Sequence, residues 1–347
     1  MSLDLHIERD AARDAGLPGR PRRAWRPIAH PLKELAIRER PALGTTVRLV
    51  TAPGAVTEAT TLADTYLDEL DKVASRFRPD SEVCALARAG AGVFFISPLL
   101  AELLEHALEA WRYSDGLLDP TLGGALIAAG YDRDFAAIGG SGPAPVSFED
   151  GALCTGVDAF DLHGRLLEIE RPILFDLGSS AKAHAADVLA ARLSLLGAAV
   201  LVSLGGDLAS RGTPPGGAWP LLIDEMSPGA TAPVQLLLRE GGLATSSTLR
   251  RRWNAAGKPA HHLLDPRTAL PASGPWRTAS VVAASCVRAK AASSAAIIAG
   301  EGASRFLELR ALSARLVGTD GSVHLVGDWP TRAEGLLEPQ RTSGRRP

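Results

Sequence analysis

Apolar and polar positions first fall into a regular order at GTTVRLVT, residues 44–51, where they alternate. Side chains two apart share one face of an extended chain, so this stretch predicts a strand. VTEATTLADTYLDELDKVASRF (56–77) changes period: Leu62, Tyr66, Leu70 and Val73 recur at helical spacing and predict an amphipathic helix. RPDSEVCALARAGAG (78–92) reads as a loop. In SPLLAELLEHALEAWRYSDG (97–116), Ser97 and Pro98 occupy the N-cap and N1 positions of a second helix, and Gly116 closes it.

LLDPTLGGALIAAGY follows as a glycine-punctuated segment, and IGGSGPAP (138–145) marks a flexible break. Beyond it, RLLEIERPILFDLG supplies strand residues, and AKAHAADVLAARLSLLG a helix ended by Gly197. AAVLVSLGGDLASRG is a buried strand running into a Gly-Gly turn. PLLIDE, VQLLLREGGLATSS, HHLLDP and TASVVAAS predict further strands, and 287–300 and 302–313 further helices. There is no internal repeat and no βαβ series long enough for a barrel. The pattern therefore predicts an α+β fold of layered, mixed or antiparallel sheets with flanking helices.

Residues 1–42 mix Arg, Pro and Glu without a sustained period and are expected to form a charged arm outside the core. One domain is expected over 43–335, followed by a disordered tail over 336–347. The N-terminal stretch lacks the apolar run of a signal peptide, and no segment is apolar for long enough to cross a bilayer. A chain of 347 residues buries a core without external staples. Its 37 basic and 39 acidic residues argue against nucleic acid or an anionic membrane as partner. Cys84, Cys154 and Cys286 form no CxxC pair and no zinc-like spacing, which fits a reducing, cytoplasmic setting.

The chemistry concentrates in FDLGSSAKAHAADVL (175–189). An apolar lead ends in Asp176, turns through Gly-Ser-Ser and enters a helix whose first turns carry Lys182. Free backbone N–H groups, hydroxyls and a lysine at a helix N-terminus suit an anion. An ordinary helix start with a solvated lysine fits the same residues. Gly205-Gly206-Asp207 permits close approach of a ligand but is more often a hairpin turn. Thr245, Ser246, Ser247 and Thr248 place hydroxyls directly after a strand, as a ligand wall or as caps. In HHLLDPRTALP (261–271), His261 and His262 would face opposite sides of a strand, which argues against zinc. No GxSxG elbow, P-loop, GxGxxG turn or HExxH helix is present, so hydrolase, nucleotidase and dehydrogenase readings gain nothing from motifs.

Taken in order, LGTTVRLV at 43, SRFRPDSEV at 75, SDGLLDPTLG at 114, DLGSSAKAHAAD at 176, LVSLGGD at 201, LATSS at 243, HHLLDPRTALP at 261 and SCVRAKAASSAA at 285 resemble the ApbE family of FAD:protein FMN transferases. The resemblance implies an ApbE-like, T-fold-like architecture with an FAD cleft between lobes. It implies FAD as substrate and Mg²⁺ on its pyrophosphate. The FMN half would pass to a Thr or Ser hydroxyl of an acceptor protein, with release of AMP. By the same resemblance, Leu43 and Phe77 line the flavin or adenine, and Leu117, Leu118 and Asp119 hold the nucleotide. Asp176 and Lys182 contact FAD, and the Ser179 carbonyl reaches the metal. Thr245, His262, Leu264 and Asp265 form further cleft wall, with Asp176, Lys182 and His262 as the catalytic candidates.

The chain departs from the family pattern in three places. DLGGIAKGYAVD has become a string with Ser179, Ser180, Ala183 and His184, and DPRTG has lost its glycine to Ala269. The family's paired metal ligands on one helix face, an acidic or amide residue and a threonine four positions on, are here Lys290 and Ser294. Three readings follow. The Lys290 ammonium takes the place of the cation in a transferase, or the chain binds FAD without catalysis, or Lys290 reaches solvent while Asp265 holds the metal. FAD pyrophosphatase activity, with water in place of the acceptor, is a neighbouring possibility.

Overall fold

The computed structural model describes residues 26–28, 34–138, 156–197, 199–225, 231–255, 257–330 and 335–337. Among them, nine strands lie side by side in chain order: Arg26–Ile28, Ala36–Ala42, Thr45–Thr51, Val200–Leu204, Asp207–Arg211, Gly241–Ser247, Trp276–Ala283, Ser313–Gly318 and Val323–Val326. Every neighbouring pair is antiparallel. Two tight turns make this order possible. Leu43 and Gly44 have φ of 52° and 66°, and Gly205 and Gly206 have 64° and 92°. Left-handed pairs of this kind match the twist of a two-residue hairpin. A side chain on Gly205 would also stand 2.3 Å from Thr45 Oγ1.

Seven α-helices accompany the strands in the described residues: α1 (Val56–Ala74), α2 (Glu82–Ala89), α3 (Pro98–Tyr113), α4 (Gly123–Ala128), α5 (Ala181–Ser194), α6 (Cys286–Ala299) and α7 (Ala303–Glu308). The alanine-rich α5 and α6 pack on one face of the large sheet, with α1 and α3 outside α5. Alternation along the strands sorts the core into layers. Val200, Val202 and Leu204 face the helices, while Leu201 faces the other side. There Trp219, Leu221, Leu236 and Leu238 pack on it. They belong to a second sheet of Trp219–Ile223, Val234–Leu238 and Gly335–Leu337.

Small residues let α6 press against the sheet. A Cβ on Gly242 would lie 2.2 Å from the Cys286 nitrogen, so the helix start and this strand meet backbone to backbone. Asp187 on α5 fixes that start, accepting hydrogen bonds from Cys286 N at 2.9 Å and Val287 N at 3.0 Å. A carboxylate is favoured at a helix N-terminus. Burial raises the Asp187 pKa, and the two N–H donors oppose the rise.

The structure departs from the sequence expectations at several points. Ala36–Ala42 is a sheet strand with Ile37 in the core, so the arm cannot extend to residue 42. Its charges are paired rather than solvated: Glu39 bonds Arg48 across the strands, and Arg40 meets Asp64 at 2.7 Å. The expected loop at 78–92 contains α2, capped by Ser81 Oγ, which accepts from Cys84 N. Residues 172–177 join no sheet; the Asp176 and Gly123 nitrogens instead donate to Pro120 O and Leu174 O. The helix expected over 302–313 ends at Glu308, and Ser313 begins a strand. HHLLDP is divided between two short hairpins. Residues 139–145 of the expected break, Cys154 and residues 338–347 of the expected tail lie outside the described residues.

Candidate functional site

The Asp-Leu-Gly turn that leads into α5 is held by side chains from distant segments. Asp176 Oδ2 accepts from Arg76 Nε at 2.8 Å, and Asp176 Oδ1 accepts from the Gly178 nitrogen at 2.9 Å. Arg76 donates onward to Tyr131 O at 2.6 Å, and its guanidinium lies 4.5 Å and 4.9 Å from the Phe77 and Tyr131 ring centres. Both Asp176 oxygens are thus engaged, and the residue shapes the turn. The half-buried Lys182 completes it, with Nζ donating to Gly178 O at 2.8 Å.

A second group comes from the end of strand Gly241–Ser247, the Gly-Gly hairpin and α6. Ser246 Oγ lies 2.8 Å from both Ser293 Oγ and Ser294 Oγ. Lys290 Nζ reaches toward the same hydroxyl at 3.4 Å and lies 3.5 Å from Asp207 Oδ2. Electrostatics tie the two groups together. Lys182 is pushed down to about 7, first by burial, then by Arg251 and Lys290 against the opposing pull of Asp207 and Asp176. His262 falls well below its usual range, again chiefly by burial, with Arg251, Lys290, His261 and Lys182 adding to the shift. Its imidazole is therefore neutral near pH 7, and its buried Nδ1 has no hydrogen-bond partner.

The charge balance is informative. Arg76, Lys182, Arg251 and Lys290 are four basic groups, and Asp176 and Asp207 are two carboxylates. Arg76, Arg251 and Lys290 outnumber the carboxylates by one, and Lys182 adds a second positive charge once a bound anion holds its proton on, a balance that suits a dianionic pyrophosphate.

The other expected residues lie in several packing clusters. Leu43 sits in its left-handed turn, and Phe77 stacks at 5.3 Å on Tyr131. Leu264 is buried beside them with Trp253. Leu118, Ser179 and Ser180 line a recess with Pro120, Ala107 and Ala110, and Leu117 packs behind it. Asp119 is a turn former, accepting from Thr121 N at 2.8 Å and Thr121 Oγ1 at 2.6 Å. Thr245 Oγ1 bonds Ser280 Oγ at 2.9 Å across the sheet.

Mg²⁺ prefers an octahedron of oxygens, with one or two carboxylates beside substrate phosphate. The residues at the implied positions do not fit a resident ion. Ser294 is 1% exposed, and its hydroxyl is engaged by Ser246. An ammonium stands beside that pair, and the Lys290 side chain is only 12% exposed, so it does not reach for solvent. Asp265 is no substitute, since Arg267 grips both its oxygens at 2.8 and 2.7 Å.

Sequence reasoning missed Arg76, Tyr131 and Arg251 as site members, and left Asp207 and Ser246 with a turn or cap reading beside the ligand one. Arg76 adjoins Phe77, and Asp207 follows the Gly-Gly turn, so motif context pointed near them. Arg251 sits inside an arginine run, and only its placement, with φ of 47°, separates it from its neighbours.

Comparison with known proteins bears on all of this. The profile of the ApbE family matches residues 43–316. The FAD:protein FMN transferase of Salmonella typhimurium is 27% identical over 241 residues, covering 67% of this chain and 68% of its own. That of Escherichia coli K12 is 24% identical over 267 residues, covering 74% and 76%. The flavin transferase ApbE from Vibrio cholerae shares the fold with a TM-score of 0.71 at 23% identity, over 84% of this chain and 97% of that one. The apo flavinyl transferase ApbE of Pseudomonas stutzeri gives 0.70 at 23% identity, over 84% and 94%. On the extent of the family match, this chain belongs to the ApbE family.

Proposed function

We propose that the chain is an FAD:protein FMN transferase. The acceptor's Thr or Ser oxygen attacks the flavin-side phosphorus of FAD. A new P–O ester bond forms, the bond to the adenylate breaks, and AMP leaves with that oxygen. The hydroxyl proton needs an acceptor, and the neutral His262 imidazole with its unpartnered Nδ1 supports that role. Charge on both phosphates is met by Lys182, Lys290 and Arg251, an electrostatic task that suits fixed cations. Leu43, Phe77 and Leu264, with Tyr131, support an apolar wall for the flavin or adenine.

The observation that carries the reading is the convergence of Lys182, Lys290, Arg251 and His262 at the start of α5, with more positive than negative charge. Incubation with FAD and an acceptor domain presenting Thr or Ser in a small glycine-containing motif tests it. The acceptor should gain the mass of an esterified FMN while AMP appears in equal amount. AMP and FMN released without acceptor modification would indicate a pyrophosphatase, and intact bound FAD a binding protein. No described helix is long and apolar enough to cross a membrane. The free thiols of Cys84 and Cys286 fit a reducing, cytoplasmic setting.

A further inference from the structure

Away from the cation cluster, three side chains meet in a pattern suited to a different ligand. Glu102 and His106 stand four residues apart on α3, hence on one helix face, and His184 approaches them from α5. One ligand atom from each residue lies within 4.8 Å of the other two. His184 Nε2 is 3.3 Å from Glu102 Oε1, and the two imidazole centres are 4.5 Å apart. Ligands about 2.0–2.1 Å from a tetrahedral zinc ion stand roughly 3.3 Å from one another. The Glu102 side chain is 47% exposed and free to close the remaining gap.

Two details separate this cluster from a surface ion pair. His184 is only 3% exposed, and its Nε2 makes no hydrogen bond despite the nearby carboxylate. A buried ring nitrogen aimed at such a group without a bond is destabilising unless something lies between them. His106 Nδ1 is 3.1 Å from Glu109 Oε2. An outer carboxylate on one ring nitrogen is what orients a ligating imidazole and leaves the other nitrogen for the ion. His184 also stands at a position where this chain departs from the family string.

We propose that Glu102, His106 and His184 bind a divalent transition-metal ion of the zinc class, with three protein ligands and a fourth position for water, tying α3 to α5. Borderline-soft imidazoles with one carboxylate favour zinc over magnesium. The site shares no residue with the flavin-transfer groups: Lys182 Nζ bonds Gly178 O, and Lys290 Nζ lies by Ser246 and Asp207. Its connection to them is mechanical. The His184 backbone N–H donates to Ser180 O at 2.9 Å, so an ion here steadies the first turn of the helix that carries Lys182.

The full chain, tag-free and chelator-treated, is titrated with Zn²⁺ by calorimetry and thermal unfolding, and with Co²⁺ for visible ligand-field bands. One Zn²⁺ per chain should bind in the micromolar range or tighter and raise Tm. His106→Ala and Glu102→Gln change side chains at the helix surface, and circular dichroism of the metal-free variants checks their fold. Each should weaken Zn²⁺ binding by at least about tenfold and remove the Co²⁺ bands. No saturable binding below about 1 mM Zn²⁺, or wild-type affinity in either variant, overturns the site. None of these readouts involves flavin, so they succeed or fail independently of the transferase reading.

Discussion

Two charged regions of this protein satisfy their polar groups to different degrees. In the first, Glu225 and Arg277 pair at 2.9 Å with side chains 1% and 11% exposed. Thr231 adds two further donors to Glu225 at 2.9 and 3.1 Å, and Arg315 bonds the Thr231 hydroxyl at 2.7 Å. In the second, around Lys182, polar atoms are left over. One oxygen of Asp207 and one nitrogen of His262 are buried without hydrogen-bond partners, and Lys182 loses much of its basicity. The first cluster satisfies its buried polar groups within the protein, and the second leaves two atoms over, which is the arrangement the proposed FAD site needs.

That contrast is open to attack from both sides. The largest expected effect is on stability: Arg277→Ala leaves Glu225 buried without its main partner and should cost about 3–5 kcal/mol in denaturant unfolding. FAD affinity of the protein that stays folded should be unchanged. Lys182→Met should do the reverse, lowering FMN transfer by about 10²–10³-fold in kcat/KM while unfolding stability holds or rises, because a desolvated cation has been removed. Loss of stability in Lys182→Met, or loss of transfer in folded Arg277→Ala, would collapse the distinction.

The pH dependences are smaller and also differ. Free Lys182 is charged only below about 7, and bound pyrophosphate holds its proton on. FAD affinity should therefore fall as pH rises above about 7, by at most about tenfold per unit, and Lys182→Arg should flatten the profile in equilibrium titrations. For Glu225, burial acts to raise the pKa, but Arg277 and Thr231 outweigh it and hold the carboxyl down at about 2. Its contribution to stability should be complete above the ordinary glutamate range and lost progressively as pH falls toward about 2. Glu225→Gln should remove that acid-side slope in unfolding measurements.

Much of the fold was legible because periodicity and capping agreed locally. Ser97 and Pro98 start α3 as expected, its C-cap is Ser114 rather than Gly116, and the Gly205-Gly206 turn closed its hairpin. Strand Ala36–Ala42 was not legible, because Arg38, Glu39 and Arg40 mask its alternation until their partners on other segments are known. The site was legible to the extent that its residues lie in contiguous motifs, as Lys182 and His262 do. Arg251, on a bend, and Asp207, at the start of a strand, act through space from separate segments, and no local pattern announces that. The departure at Lys290 was legible by resemblance, which left three readings open; its partners were not. Only the fold brings Asp207 and Ser246 to its tip.

In the proposed reaction, charge carried by the chain's own cations serves FMN transfer where the residues do not fit Mg²⁺. The most direct test incubates the tag-free protein with FAD and an acceptor domain, once with Mg²⁺ and once with excess chelator, and quantifies AMP and flavinylated acceptor over time. The account predicts both products under both conditions, at rates within about tenfold of each other. Products that appear only with Mg²⁺, or FAD that stays intact in both, would contradict it.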